Sequence, residues 1–350
     1  MSAKPVVLRL GSIGYAREAW KALGEIANIV TVDESTTRDK FLKELQDPKS
    51  KLHNVQVITR TFESVEQTGR FDKELAQALP SSVVAVCHLG AGYDQIDTEP
   101  FKERHIQVTH TPRAVNNATA DTHVFLLLGA LRNYGAGIRP WLKGEWPAKG
   151  PKAGAAVGHD PEGHVVGILG LGGIGHTIAN KLRPFGFKKI IYHNRKRLPA
   201  DQEYGCEYAP YEEFLRTADI ISINIPLNSH TRHLINDEAI SKMKDGVVIV
   251  NTARGAIIDE QALIKALKSG KVRSFGADVF EKEPQVPQEL LDMPQVIGLP
   301  HMGTYTVETM KHMEEFLVQN AESVITTGKG AAVVPEMKGE AWVDQSKPLV

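Results

Sequence analysis

Three motifs in the last third of the chain place an arginine, a group of acids and a histidine just beyond short apolar runs. Val247-Val248-Ile249-Val250 leads into Asn251-Thr252-Ala253-Arg254-Gly255, so Arg254 is flanked by small residues. Residues 274–279 lead into Phe280-Glu281-Lys282-Glu283-Pro284, and Val296-Ile297-Gly298-Leu299-Pro300 leads into His301. One histidine among 13 says little by itself. A histidine at the carboxyl end of a strand says more, because ligands of open α/β sheets bind along that edge. If the three runs are neighbouring strands, Arg254, Glu283 and His301 reach one crevice. A guanidinium can hold a carboxylate and polarise the carbonyl beside it, while an imidazole delivers a proton to the carbonyl oxygen near neutral pH. That set suits hydride reduction of a 2-oxo acid, or its reverse.

A hydride donor leaves its own signature. Gly170-Leu171-Gly172-Gly173-Ile174-Gly175 follows the run Val165-Val166-Gly167-Ile168-Leu169 and opens a helical pattern, the context that a dinucleotide-binding turn requires. Gly170 permits the tight turn, Gly172 lets a pyrophosphate approach the backbone, and Gly175 lets helix and strand pack closely. Amides at the helix start then receive the anion. At the end of the next strand an NAD site usually carries Asp or Glu for the ribose 2′-hydroxyl. Here the chain reads Tyr192-His193-Asn194-Arg195-Lys196-Arg197. The carboxylate that would repel a 2′-phosphate is missing and cations follow at once, which favours NADP(H), with NAD(H) as the alternative. The plainer reading of the basic trio is a solvated loop.

These motifs sit within a regular alternation. Residues 6–10, 29–32, 55–59, 83–87 and 106–109 read as strands, with helical spacing over 16–26 and 38–45 between them. A long helix is expected over 118–132 with Asn116 and Asn117 as caps, then a Pro/Gly/Ala-rich loop over 140–163. A second set of strands is expected at 165–169, 190–193, 220–225, 247–250, 274–279 and 296–299, closed by a long amphipathic helix over 307–325 and Gly328. Such alternation implies α/β architecture, two doubly wound parallel sheets covered by helices on both faces.

Bulk properties narrow the class. The 350 residues suit two domains, 42% are apolar, and a formal net charge of −1 shows none of the basic excess of a nucleic-acid binder. Cys87 and Cys206 cannot build a disulfide framework. Met1-Ser2-Ala3-Lys4-Pro5 runs into a strand without an apolar leader, and no apolar stretch approaches the roughly 18 residues that span a bilayer. No metal-ligand spacing stands out. The expectation is a cytoplasmic enzyme with a small-molecule substrate, bound neither to nucleic acid nor to membrane.

NTARG, DVFEKEP and LPHMG, together with GLGGIG, strongly resemble the D-isomer-specific 2-hydroxyacid dehydrogenase family, over about residues 84–318 and more weakly toward both ends. HLGAGYDQID and ATADTHVFLLLGALRN are most similar to its fungal glyoxylate/hydroxypyruvate reductase branch. The resemblance implies that His301 is the acid/base, that Glu283 hydrogen-bonds it and favours the imidazolium, and that Arg254 grips the substrate carboxylate and carbonyl. It assigns Asp278 to the nicotinamide carboxamide and Thr119 to the vicinity of the nicotinamide ring. It extends cofactor contact through Gly170, Gly172, Gly173, Ile174, Gly175, Asn194, Arg195, Lys196, Pro226, Thr231 and Thr252. Leu89, Gly90, Ala91 and Gly92 form a turn whose backbone amides would meet the substrate carboxylate; the plainer reading is a tight turn leading to Tyr93 and Asp94.

The family further implies a flavodoxin-like substrate domain from residues 1–113 plus 305–350, a Rossmann dinucleotide domain from 114–304, an active site in the cleft between, and a homodimer using 126–146. Gly173 and His176 stand where relatives often carry Arg, Arg113 where many have Gly, and Asn224 where a His is common. Fewer cations at the turn should weaken pyrophosphate contact. A same-family enzyme for a bulkier branched-chain or aromatic 2-oxo acid is the nearest alternative, and a non-catalytic dinucleotide-sensing protein on the same fold is the more distant one.

Overall fold

The computed structural model of the chain describes residues 4–12 and 14–350, so the amino-terminal Met1-Ser2-Ala3 of the reading above lies outside the described residues. The chain divides into two compact units, Met1–Val115 with Thr306–Val350, and Asn116–Tyr305. The first holds β1 (Val6–Leu10), β2 (Asn28–Thr31), β3 (Val55–Arg60), β4 (Ala85–His88) and β5 (Gln107–Thr109). They form a parallel sheet in the order β2-β1-β3-β4-β5, the flavodoxin-like arrangement. Leu8, Ile58, Val86 and Val108 are fully buried with Phe41, Phe71 and Phe101 from the covering helices.

The second unit holds β6 (Val165–Leu169), β7 (Lys189–His193), β8 (Glu207–Tyr208), β9 (Ile220–Ile223), β10 (Val247–Asn251), β11 (Val272–Ala277) and β12 (Val296–Gly298). All pair in parallel, in the order β12-β11-β10-β9-β6-β7-β8. The chain runs outward from β6 through β7 to β8, then resumes at β9 on the other side, so the topological switch lies between β6 and β9. Leu169, Ile221 and Ile249 pack on one face of the sheet, and Ile168, Ile220 and Val248 on the other. Burial on both faces explains why these strands read as unbroken apolar runs rather than alternating ones. Leu169, Ile223, Asn251, Ala277 and Gly298 stand in register across β6, β9, β10, β11 and β12.

The two expected parallel-sheet α/β layers are present, with three local corrections. Asn116 and Asn117 lie inside the helix Asn116–Leu131 rather than capping it. The expected loop over 140–163 contains the end of a helix, Tyr134–Leu142, then Trp146–Lys149 and a 3₁₀ turn, Pro151–Gly154. Tertiary bonds override the Pro/Gly composition there: the Arg139 guanidinium donates to the carbonyls of Leu291 and Val296, the latter at 3.0 Å. The two-residue strand β8 has too little pattern to be read locally.

The first unit is tied together by one carboxylate from the helix Val307–Thr327. Glu314, buried, accepts the Tyr15 and Ala16 backbone N–H at 2.7 and 3.0 Å and the Trp20 indole N–H at 2.8 Å. Glu314→Gln retains the volume but loses the charge and leaves an amide where only donors face it. It is expected to destabilise this unit by about 2–3 kcal/mol in urea unfolding; a shift under about 0.5 kcal/mol would show that the bonds are replaced by water.

Candidate active site

The carboxyl edge of the second sheet gathers the groups that could do chemistry. At β6, Gly170 takes φ +99°, and a Cβ there would meet the Asn224 backbone at 2.9 Å. A Cβ on Gly175 would lie 2.2 Å from the Gly170 carbonyl oxygen, so helix and strand meet there backbone to backbone. Space beside Gly172 is open. The helix Gly173–Leu182, with Ile174 in its first turn, therefore begins at an uncovered turn, as binding a pyrophosphate requires. The carboxamide of Asn116 sits over Gly173, 2.7 Å from where its Cβ would be. His176 stacks on Tyr204 with ring centroids 3.5 Å apart.

Beyond β7, Asn194 accepts the Leu171 N–H at 2.8 Å, so its oxygen braces the turn. Arg197 is paired with Glu203 at 2.7 Å. Arg195 and Lys196 are exposed, and among the described residues no carboxylate pairs with either. The trio thus divides into one structural cation and two available ones. In the loop after β9, the Thr231 hydroxyl donates to the Pro226 carbonyl at 2.7 Å and accepts the Asn228 N–H at 2.8 Å.

At β10, Asn251 shapes the turn that presents Arg254. Its amide donates to the Arg254 carbonyl at 2.9 Å and its oxygen accepts the Ala253 N–H at 3.0 Å. At β11, buried Asp278 accepts the Met302 and Gly303 N–H at 2.8 and 2.7 Å, while the His301 N–H donates to the Asp278 carbonyl at 2.8 Å. Burial pushes the Asp278 carboxyl up, partly opposed by those two N–H groups. These bonds hold His301 at φ +52°, a left-handed conformation that is uncommon for a non-glycine residue. Thr119 is buried beside Gly303.

His301 Nδ1 lies 2.6 Å from Glu283 Oε2, and the Phe280 N–H donates to Glu283 Oε1 at 2.8 Å. Burial alone would raise the Glu283 carboxyl. The His301 bond and charge, the Phe280 N–H and the charge of Arg254 outweigh it and hold Glu283 below its ordinary value. Glu283 is therefore ionised at neutral pH and holds the imidazole through Nδ1. Phe280, Pro284, Leu290 and Leu299 line an apolar cavity of about 350 Å³ that both Glu283 and His301 reach.

In the first unit the turn after β4 is polarised. Carbonyls of Gly90, Ala91 and Gly92 are taken by the Thr111 N–H at 2.8 Å, His110 Nδ1 at 2.9 Å and His88 Nε2 at 3.0 Å. Among the described residues no acceptor faces the N–H groups of Gly90, Ala91 or Gly92. Leu89 donates its own N–H to the Arg60 carbonyl at 2.8 Å. Burial pushes the Arg60 guanidinium down to about 10, which still leaves it cationic, and it donates to Ser64, the Phe62 carbonyl and Gln95. Sequence reading missed Arg60 because a single cation ending a strand carries no pattern. It also passed over His123, which is fully buried in the apolar stretch of its helix; a polar residue in that setting was the available signal.

A doubly wound sheet with this turn at its switch point defines a dinucleotide-dependent oxidoreductase class. The NAD-binding domain of the D-isomer-specific 2-hydroxyacid dehydrogenases matches residues 124–303. Glyoxylate reductase 1 of Saccharomyces cerevisiae is 63% identical over 350 residues, all of both chains. 4-Methyl-2-oxopentanoate reductase A of Aspergillus oryzae is 45% identical over 95% of this chain and 99% of its own. The crystal structure of a glyoxylate reductase from Paecilomyes thermophila superposes with a TM-score of 0.91 at 46% identity, covering 96% of this chain and 99% of that one. The chain belongs to the D-isomer-specific 2-hydroxyacid dehydrogenase family, and it is an NAD(P)-dependent oxidoreductase.

The geometry of the His301–Glu283 pair has a kinetic consequence. Glu283→Gln removes the charge while keeping the shape. Turnover in carbonyl reduction is expected to fall by about tenfold or more, because the charge-assisted bond that orients the His301 ring is lost. Turnover within about twofold of the parent's would show that the charge does not matter.

Proposed function

We propose that this enzyme reduces glyoxylate and similar short 2-oxo acids, hydroxypyruvate among them, to 2-hydroxy acids, with NADPH preferred over NADH. The observation that carries the reading is the 2.6 Å contact of His301 with an ionised Glu283 on the sheet edge that bears the dinucleotide turn and Arg254. Identity of 63% with a yeast glyoxylate reductase along the whole chain supports the substrate.

Arg254 grips the substrate carboxylate and polarises the carbonyl. His301 gives its proton to the carbonyl oxygen from Nε2, the ring nitrogen opposite the one that Glu283 holds. Gly170, Gly172, Gly173, Ile174 and Gly175 hold the pyrophosphate, with Asn194, Pro226, Thr231, Thr252, Asp278 and Thr119 along the rest of the dinucleotide. When bound, the reduced nicotinamide supplies the hydride that the carbonyl carbon accepts. The unpaired N–H groups after Leu89, at Gly90, Ala91 and Gly92, form an anion nest suited to a carboxylate. Two exposed apolar tryptophans and a leucine in the segment 141–146, at 59, 71 and 51% exposure for Trp141, Leu142 and Trp146, support a homodimer. Among the described residues no helix is long and apolar enough to cross a membrane.

A bulkier 2-oxo acid is the second reading. It is favoured by the apolar cavity beside His301 and by 45% identity with a reductase of 4-methyl-2-oxopentanoate. Rates with glyoxylate, hydroxypyruvate, 4-methyl-2-oxopentanoate and phenylglyoxylate, measured at 340 nm, separate the two. A higher kcat/KM for the two small polar acids is expected, and the opposite order overturns the substrate assignment while leaving the chemistry intact.

His301→Ala is expected to cut turnover by roughly 10²–10⁴ with NADPH affinity nearly unchanged. Equal loss of NADPH binding would make His301 structural. Arg195→Ala combined with Lys196→Ala should weaken NADPH about ten- to a hundredfold at low salt and leave NADH within about twofold, since only NADPH carries the 2′-phosphate. Parallel weakening of both dinucleotides would remove these cations from cofactor selection.

A further inference from the structure

A chain of buried hydrogen bonds crosses the second unit just below its carboxyl edge. The Asn224 amide donates to the Ser222 carbonyl at 3.2 Å and to the Ser222 hydroxyl at 2.8 Å. The Ser222 hydroxyl lies 2.8 Å from His123 Nε2, and His123 Nδ1 lies 2.8 Å from the Thr252 hydroxyl. Neither Ser222 nor His123 is exposed at all. Burial pushes His123 down to about 3, so the ring is neutral and has one donor nitrogen and one acceptor nitrogen.

The direction of the chain follows from its first link. A backbone carbonyl can only accept, so the nitrogen of the Asn224 amide faces Ser222. The Ser222 oxygen accepts from that nitrogen and can pass its own proton to His123 Nε2. Nδ1 then carries the ring hydrogen and donates to the Thr252 oxygen. The opposite direction would leave the Ser222 hydroxyl proton with no acceptor in a dry interior, a cost of about 1–3 kcal/mol. In the favoured direction the surplus proton is that of Thr252, which is 8% exposed and lies at the sheet edge. Among the described residues the Thr252 hydroxyl makes no other hydrogen bond.

We propose that His123 is a positioning residue that, by donating to one lone pair of the Thr252 hydroxyl, turns the hydroxyl hydrogen toward the carboxamide oxygen of the nicotinamide. This rests on the reading that the dinucleotide lies along the carboxyl edge. The pyrophosphate turn is at β6, and His301 follows β12. Thr252 follows β10, two strand spacings or about 10 Å from β6, on the side toward the acid/base pair. The part of the ligand that must span that interval is the nicotinamide nucleoside. Its carboxamide oxygen is a pure acceptor, which matches a hydroxyl whose own hydrogen has no acceptor among the described residues.

The test compares binding of NADPH with that of 2′-phospho-ADP-ribose, which retains both riboses and all phosphates but lacks the nicotinamide. Thr252→Val should weaken NADPH about three- to tenfold in a fluorescence titration and leave 2′-phospho-ADP-ribose unchanged, while Thr252→Ser restores NADPH binding. His123→Leu should reproduce the Thr252→Val loss, and the double variant should lose no more than either single one. Equal weakening of both ligands, or additive losses, overturns the proposal. If His123→Leu does not fold, the ring ¹⁵N shifts of His123 in the parent protein decide: protonation at Nδ1 is expected, and protonation at Nε2 overturns it. A parent protein that binds neither probe would instead overturn the placement of the dinucleotide.

Discussion

Parallel pairing of every strand in the second unit is the constraint on which the rest depends. It brings all carboxyl ends to one edge, and the common register of Leu169, Ile223, Asn251, Ala277 and Gly298 sets them at one level. The dinucleotide turn, Asn224, Thr252, Arg254, Asp278, Glu283 and His301 all follow those ends within a few residues. Their proximity is a property of the sheet before it is a property of any side chain. Full burial of the central strands β6, β9 and β10 keeps that register rigid, because a slip would expose apolar side chains.

Two carboxylates on this edge do different work because their surroundings differ. Asp278 spends both oxygens on the backbone N–H groups of Met302 and Gly303, and burial still leaves its carboxyl raised. It holds the loop in which His301 adopts its unusual backbone conformation, a strain of about 1–3 kcal/mol that these bonds offset. Glu283 meets a histidine and the charge of Arg254, and is held low. One acid fixes the loop that carries the imidazole, and the other holds the ring itself through Nδ1.

The turn of the first unit shows the same logic with opposite sign. His88, His110 and Thr111 engage its carbonyls, so its amides point elsewhere as a group. Orienting carbonyls inward is what makes a stretch of ordinary backbone electropositive.

Much of this was legible in the sequence. GLGGIG after an apolar run read as a glycine turn opening a helix, which the structure has, and the strand-end positions of Arg254, Glu283 and His301 pointed to one edge, because strand period and turn chemistry are local. The parallel α/β class followed from unbroken apolar runs alternating with helical spacing. What composition misread was the segment 140–163, whose first residues belong to the helix Tyr134–Leu142 that Arg139 ties to carbonyls more than 150 residues away. Only the tertiary structure decided that Arg197 belongs to Glu203 while Arg195 and Lys196 do not, that Asn116 fills the place above Gly173, and that His123 joins Ser222 to Thr252. Those are pairings between residues far apart in the chain, set by how strands and helices stack, and no local pattern encodes which donor meets which acceptor.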